Sequence, residues 1–468
     1  MKIEISPLLQ DPYFGRLKAL VIEVTGMAFY ADKDNDLALI VSDRMTECGV
    51  KGCALYLERL QADSAEMEAL VAELTIGETY FFRHMEQFQA LRQVVLPDIL
   101  ERNAGTRRLR IWSAGCATGP EPYTLAIMLK REFGPRIEGW HVSILGTDIN
   151  QKFLGRAREG RYDHWAFRAT PDQILRECFE PVGKQWQIKA EYKSLVSFQY
   201  HNLTQNRFPS IVDNIAGFDI IICRNVVIYF SPETVAELVP RFHDTLVEGG
   251  WLVMGHAEPS MDLFRQFRTV TFPGAVLFQR QDAATVAQPI TRPTAPFPPL
   301  PLPSRPAPPR RPPPVPAKCG AKPVPSSLPP KAGTNPPLDQ LRNLADQGRW
   351  DDALNACDQM LKHEALDWRV HYLRALILDQ VGDGEGCESG LRRAIYLERR
   401  AVMPHYHLGL FLQRKDDADG ARRSFRNVLT LLQDQGEDAV VDEGETLTAG
   451  QMRETVGMHM KLLGASQA

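Results

Sequence analysis

Between residues 108 and 255 the apolar positions come in short runs, separated by turn residues and by helix-like stretches. Residues 110–127 (RIWSAGCATGPEPYTLAI) pass from a β-like segment through a glycine turn into an amphipathic helix. Residues 142–149 (VSILGTDI) make a second apolar strand ending in an acid, Asp148. A third strand-like run, residues 218–230 (FDIIICRNVVIYF), ends in polar Arg224 and Asn225, and residues 246–255 (LVEGGWLVMG) give turn and strand again. Strands alternating with helices predict a parallel sheet with crossover connections. Upstream, Leu17, Leu20, Val21 and Val24 form one apolar stripe and Tyr56, Leu57 and Leu60 another, so residues 13–74 are expected to be helical.

The far end of the chain repeats itself. Leu338, Tyr372 and Tyr406 are 34 residues apart, as are Leu341, Ala375 and Gly409, and Ala353, Cys387 and Ala421. A period of 34 with small residues beside large apolar ones resembles tetratricopeptide (TPR) repeats, each a pair of helices. Three such repeats are expected over residues 338–432, with Gly384, Gly386 and Gly390 weakening the second helix of the middle one. The array would bind a protein through its concave face, or serve a structural or dimerising role. Residues 433–468 should hold a loose acidic segment and one capping helix over 447–463, with Thr448 a candidate N-cap. A proline-rich basic linker, residues 281–337, precedes the repeats. From Pro289 to Pro337 it holds twenty of the chain's 34 prolines and seven Lys/Arg without one Asp or Glu. That composition gives an extended spacer, with a proline-motif ligand around residues 308–316 as the alternative.

At 468 residues the chain exceeds one ordinary core, and 44% hydrophobic with 24% charged residues is globular composition. A net charge of −4 gives no case for nucleic-acid binding. The first residues lack the apolar core of a signal peptide and no apolar run reaches membrane-span length, so the expected location is cytoplasmic, without membrane insertion. Eight scattered cysteines contain no C-x-x-C pair, so neither a disulfide framework nor a metal site is expected. Cys116 and Cys223 read as small buried residues rather than nucleophiles.

The turn after the first strand is the main candidate for chemistry. A strand, a tight glycine turn and a helix N-terminus make a cradle for a nucleotide-type ligand. Gly115 and Gly119 do not fit G-x-G-x-x-G, and no Gly-Lys-Ser/Thr follows. An acid at the tip of the second strand is where a ribose diol is held in doubly wound sheets, so Gly115, Asp148 and Asn225 are expected to gather at the strands' carboxyl ends.

GCATGPEPYT, GTDI, CRNVVIYF and GHAE, together with Thr79-Tyr80-Phe81-Phe82-Arg83, resemble the CheR-type chemotaxis-receptor methyltransferases, in consistent order over roughly residues 10–280. The resemblance implies an α/β fold: an N-terminal helical domain (1–85), then a doubly wound, Rossmann-like methyltransferase domain (86–280) with a small antiparallel β insertion at about 179–198. It implies S-adenosylmethionine as cofactor, S-adenosylhomocysteine as product, and methylation of glutamates on the cytoplasmic domain of a methyl-accepting chemoreceptor. A cofactor-binding adaptor with little or no transferase activity is the alternative function. By the same resemblance Thr79 and Arg83 contact the methionine part of the cofactor, with Gly77 beside them where the family often has Asn. Glu121 faces the amino end, Asp148 the ribose, and Asn202 and Leu203 the adenine. Arg224 and Asn225 close the pocket, and Tyr229 hydrogen-bonds the incoming glutamate.

Each role has a structural competitor: Asp148 as helix N-cap, Glu121 as a first-turn acid, Arg224 as an ion-pair partner, Tyr229 as core packing. The chemistry needs no general base, because glutamate is already ionised near neutral pH. In the family, basic residues of the N-terminal domain dock the receptor helix; here Arg44, Lys51 and Arg59 face Asp32, Asp34, Asp36, Asp43 and Glu47, which puts that docking in doubt. The short insertion, with one glycine (Gly183), suggests that no receptor tether peptide is clasped, leaving partner contact to the repeats.

Overall fold

The computed structural model describes residues 5–256, 258, 262–281, 336–437, 439–443 and 447–465. Nearly all of the proline-rich linker therefore lies outside the described residues. The N-terminal region is a helical bundle of α1 (Phe14–Thr25), α2 (Asp34–Cys48), α3 (Cys53–Ala62) and α4 (Ser64–Leu74), packed around Leu17, Val21, Val41, Met45 and Tyr56. Asp63 caps α4 by accepting from the amides of Ala65 and Glu66. Glu66, buried one turn later, accepts from Tyr56 and Arg44 and ties three of the helices together.

Seven strands form the central sheet, in the order β6-β2-β1-β7-β8-β10-β9. These are β1 (Arg108–Ala114), β2 (His141–Asp148), β6 (Val196–Tyr200), β7 (Phe218–Cys223), β8 (Leu246–Met254), β9 (Phe267–Phe272) and β10 (Ala275–Arg280). The first five run parallel, while β10 is antiparallel to both its neighbours. Every residue of β7 is buried, as expected for a central strand covered on both faces. Helices α5 (Pro120–Phe133), α6 (Gln151–Glu159) and α7 (Pro232–Thr245) supply much of that cover.

Two expectations need correction here. The run 218–230 is strand only to Cys223; beyond it the chain turns through Asn225 and a single 3-10 turn, Val227–Tyr229. That break leaves Arg224 and Asn225 at the strand's carboxyl end, where the polar pair was expected, and takes the apolar residues after them out of the sheet. The β insertion begins earlier and ends sooner than about 179–198. It comprises β3 (Arg161–Tyr162), β4 (Phe179–Val182) and β5 (Gln185–Ile188), in the order β3-β5-β4, and residues 196–200 belong to the main sheet. Gly183, at φ +61°, sits in the tight turn that joins β4 to β5.

The C-terminal array consists of α8 (Pro336–Asp346), α9 (Trp350–His363), α10 (Trp368–Gln380), α11 (Gly384–Leu397), α12 (Val402–Arg414) and α13 (Ala418–Leu432), closed by α14 (Ala449–Ala465). The glycines of α11 do not break it. A Cβ on Gly390 would lie 2.9 Å from that of Ala375, so this glycine lets α11 and α10 approach closely. Thr448 and Gln451 cap α14 reciprocally, and the acidic stretch before it is held by a bridge between Val440 and Thr448, with Val441 buried. The latter corrects the loose segment expected there.

The inner helices of the array face the methyltransferase domain. Asp346 of α8 accepts from the Ile211 amide at 2.6 Å, and Nε2 of His407 in α12 lies 3.0 Å from the Val212 carbonyl. Arg110 on β1, 5% exposed, hydrogen-bonds Gln380 of α10 and the Asn214 side chain, with its guanidinium over the Phe218 ring. Ile211, Val212 and Ala216 join the array's own apolar core. The face expected to bind a protein partner is covered by the chain's own catalytic domain.

Candidate functional site

The loop after β1 is built by close contacts rather than by open amides. Gly115 has φ +75°, and a Cβ there would fall 2.3 Å from Val226. Its amide and that of Cys116 both donate to the Thr147 carbonyl, and the Ala117 amide donates to Asp148 Oδ2 at 2.9 Å. These N–H groups are engaged by the end of β2, so the expected cradle of free donors is absent from this stretch. What the glycine contributes is proximity: the loops after β1 and β7 meet over the strand ends.

One cavity opens at those ends. It is lined by Thr79, Arg83, Gly115, Glu121, Asp148, Asn202, Leu203, Arg224, Asn225 and Tyr229, and roofed by Met27, Phe29 and Tyr30 of the N-terminal domain. Of the predicted site residues only Gly77 does not line it. A Cβ on Gly77 would meet the Phe153 ring at 2.4 Å, so this glycine makes room for an aromatic residue that does line the cavity.

Asp148 is half-buried in the cavity wall, and burial pushes its carboxyl up to about 6 against the opposing pull of backbone amides. Its Oδ1 accepts from the Asn150 amide at 2.8 Å. The N-cap of α6 is Asn150, whose side chain accepts from the Phe153 amide, so the capping alternative for Asp148 falls away. Glu121 and Arg224 form a buried ion pair, 2.7 Å between Oε2 and Nε. Ser113 donates to the other Glu121 oxygen at 2.6 Å, and Arg224 Nη1 donates to the Arg83 carbonyl and to Gln87. Two charges out of water survive together only with this degree of partnering. The ion-pair reading of Arg224 thus holds alongside its place in the lining.

Other groups keep unused capacity. Arg83 donates to the Glu78 carbonyl at 2.7 Å and has no carboxylate partner among the described residues. Asn225 stands at φ +61° with its buried Oδ1 unpartnered. A buried acceptor left without a donor is costly, and one facing a cavity fits a ligand that supplies the donor. Asn202 is different. Its amide nitrogen donates to the Val24 carbonyl and its oxygen accepts from Thr204, so the side chain fastens the N-terminal bundle to the sheet. Tyr229 packs edge-to-face on Phe29, 5.6 Å between centroids, and burial raises its phenol.

Glu258 escaped sequence reasoning. Its carboxylate accepts from the amides of Val226 (2.7 Å), Val227 (3.1 Å) and Gly255 (2.5 Å), clamping the turn that bears Asn225 and Tyr229. Its place in the GHAE run gave the resemblance but no role, because the turn it holds lies 31 residues away. Cys116 and Cys223 are buried and burial pushes both thiols well up, as small packing residues require. No group of three potential metal ligands occurs among the described residues, and no described helix is long and apolar enough to cross a membrane.

Residues 77–275 match the family model of the CheR methyltransferase, SAM binding domain. A chemotaxis protein methyltransferase of Listeria innocua is 35% identical over 203 residues, covering 43% of this chain and 73% of the relative. Chemotaxis protein methyltransferase 1 of Pseudomonas aeruginosa is 30% identical over 273 residues, 57% of this chain and 97% of the relative. A third relative, the probable biofilm formation methyltransferase WspC of Pseudomonas aeruginosa, is 28% identical over 409 residues, 82% of this chain and 92% of its own.

Proposed function

Because the chain belongs to the CheR family of chemotaxis protein methyltransferases and uses S-adenosylmethionine, we propose that it methylates glutamate side chains on the cytoplasmic domain of a methyl-accepting chemoreceptor. When bound, the cofactor would supply a methyl group already activated on sulfonium for a carboxylate oxygen of the substrate, with S-adenosylhomocysteine as the product. Asp148 accepts hydrogen bonds from the ribose hydroxyls. Arg83 holds the cofactor's carboxylate, and Asn225 Oδ1 with Glu121 receives its ammonium. Leu203 borders the adenine, with Asn202 fixing the segment that carries it. Tyr229 donates its hydroxyl to the incoming glutamate and aligns an oxygen behind the methyl group. Alignment is the principal demand, since neither reactant needs a proton moved.

The single observation that carries this reading is the unpartnered Asn225 Oδ1 in a cavity that also holds Arg83, Glu121, Asp148 and Tyr229. Unpaired capacity of both signs in one place suits a zwitterionic amino-acid end. A relative that matches 82% of the chain is named for biofilm formation, which supports a pathway output of that kind. The test is transfer of radiolabelled methyl groups from S-adenosylmethionine to purified receptor cytoplasmic domains. Base-labile label on glutamate is expected; label that resists base, or none on any receptor, would overturn the assignment.

A further inference from the structure

With the inner helices of the array committed to the catalytic domain, its accessible surface is the outer one. A groove runs there between α11 and α13, floored by Leu408 and Leu412 of α12. Its rims carry Arg399 and Arg423, both exposed, and neither has an ion-pair partner among the described residues. Their neighbours Arg392 and Arg422 are paired, with Glu388 and Asp419. Tyr396, 67% exposed, and Leu431 add apolar surface along the same groove. Residues 384–432 hold nine Lys/Arg against six Asp/Glu, in a chain whose net charge is −4. Free guanidinium groups beside an apolar floor match an acidic segment that also carries apolar anchors. The chain's own linker, basic and free of acids from Pro289 to Pro337, is the wrong sign to fill it.

We propose that this outer groove docks an acidic, amphipathic peptide segment of a partner protein, with Arg399 and Arg423 pairing its carboxylates and Tyr396 covering an apolar side chain. A nucleic acid would also supply negative charge. The apolar floor and the separation of the two arginines onto opposite rims favour a peptide over a continuous phosphate track.

The probe is a fluorescein-labelled 18-residue peptide of glutamates with leucine at every third or fourth position, titrated against the full chain by anisotropy. A counterpart with glutamine for glutamate is the control. Saturable binding is expected. It should weaken about tenfold in Arg399→Glu/Arg423→Glu, with melting temperature and cofactor binding unchanged, and should fall steeply with added salt. Absence of binding, equal binding of the glutamine peptide, or indifference to the double charge reversal would overturn the proposal. So would an oligonucleotide that binds more tightly than the peptide through the same two arginines.

Discussion

Strand β1 carries buried charge near both ends, and the two ends use it oppositely. At its carboxyl end Glu121, Arg224 and Asp148 gather around a cavity in which Asn225 Oδ1 and Arg83 still have bonds to make. Toward its amino end Arg110 is buried as deeply, yet both its terminal nitrogens are taken by Gln380 and Asn214, and its guanidinium lies over Phe218. The residue types are alike; what separates a ligand site from a structural joint is whether the open bonding capacity faces a cavity, as Asn225 Oδ1 does, or is sealed under packed protein, as the unpartnered Arg110 Nε is. Mutations at the two ends should therefore fail in different assays.

Arg110→Ala should produce the largest loss of stability. Burial already lowers its guanidinium to about 10, so its partners are what hold it in place. Removing it strands Gln380 and Asn214 beneath the array, at a cost of about 3 kcal/mol. Urea melts read by circular dichroism should show this, while cofactor affinity in the folded protein stays within a factor of two or so, given the distance from the cavity. A variant that melts like the wild type would mean that the array is not fastened here.

Asp148→Ala reverses the pattern. The lost acceptor serves two ribose hydroxyls, and hydrogen bonds to a charged group contribute about 1.5–3 kcal/mol, so affinity for S-adenosylmethionine should fall roughly a hundredfold. The fold should lose little, since a carboxyl raised by burial is itself a strain on the native state. Isothermal titration beside a thermal melt separates the two effects. Unchanged affinity in a folded variant would remove Asp148 from the site.

This contrast also marks what the chain discloses in one dimension. The strands announce themselves as apolar runs, the array as a 34-residue period, and Asp148 and Asn225 as polar residues closing apolar strands, because those patterns are local. The joint at Arg110 is invisible, since its partners lie 104 and 270 residues away and an arginine within a strand has no periodic signature. The β insertion was misplaced because β3 is two residues long, and its pairing with β5 leaves no run to read. Gly77 reads as a neighbour of the cofactor and Gly390 as a helix weakener. Their role is to admit Phe153 and Ala375, which only the packed structure reveals.

Glu258→Gln sharpens the comparison within the catalytic end. The carboxylate accepts three amides on two oxygens, and an amide side chain replaces one acceptor with a donor facing an N–H. The turn bearing Asn225 and Tyr229 should shift. About tenfold lower kcat is expected, with cofactor affinity reduced less than threefold or so, because orientation suffers more than binding. Loss confined to affinity, with kcat intact, would show that Glu258 supports the pocket wall and not the alignment of the acceptor.

The smallest effect lies in pH. Asp148 is raised by burial to about 6 in the free protein, whereas the ribose hydroxyls need its ionised form as acceptor. Above pH 6 the carboxylate is available and affinity should be level. As pH falls through 6, the proton competes with the cofactor, and at pH 5.5 affinity should be roughly fourfold weaker than at the plateau, becoming tenfold weaker per further unit. Isothermal titration from about pH 5 to 8 tests this against Asp148→Asn, which cannot ionise and whose weaker binding should be flat. A wild-type profile as flat as that of the variant would mean that the proton on Asp148 is not displaced when the cofactor binds. The charge at the tip of β2 would then be structural, as it is at Arg110.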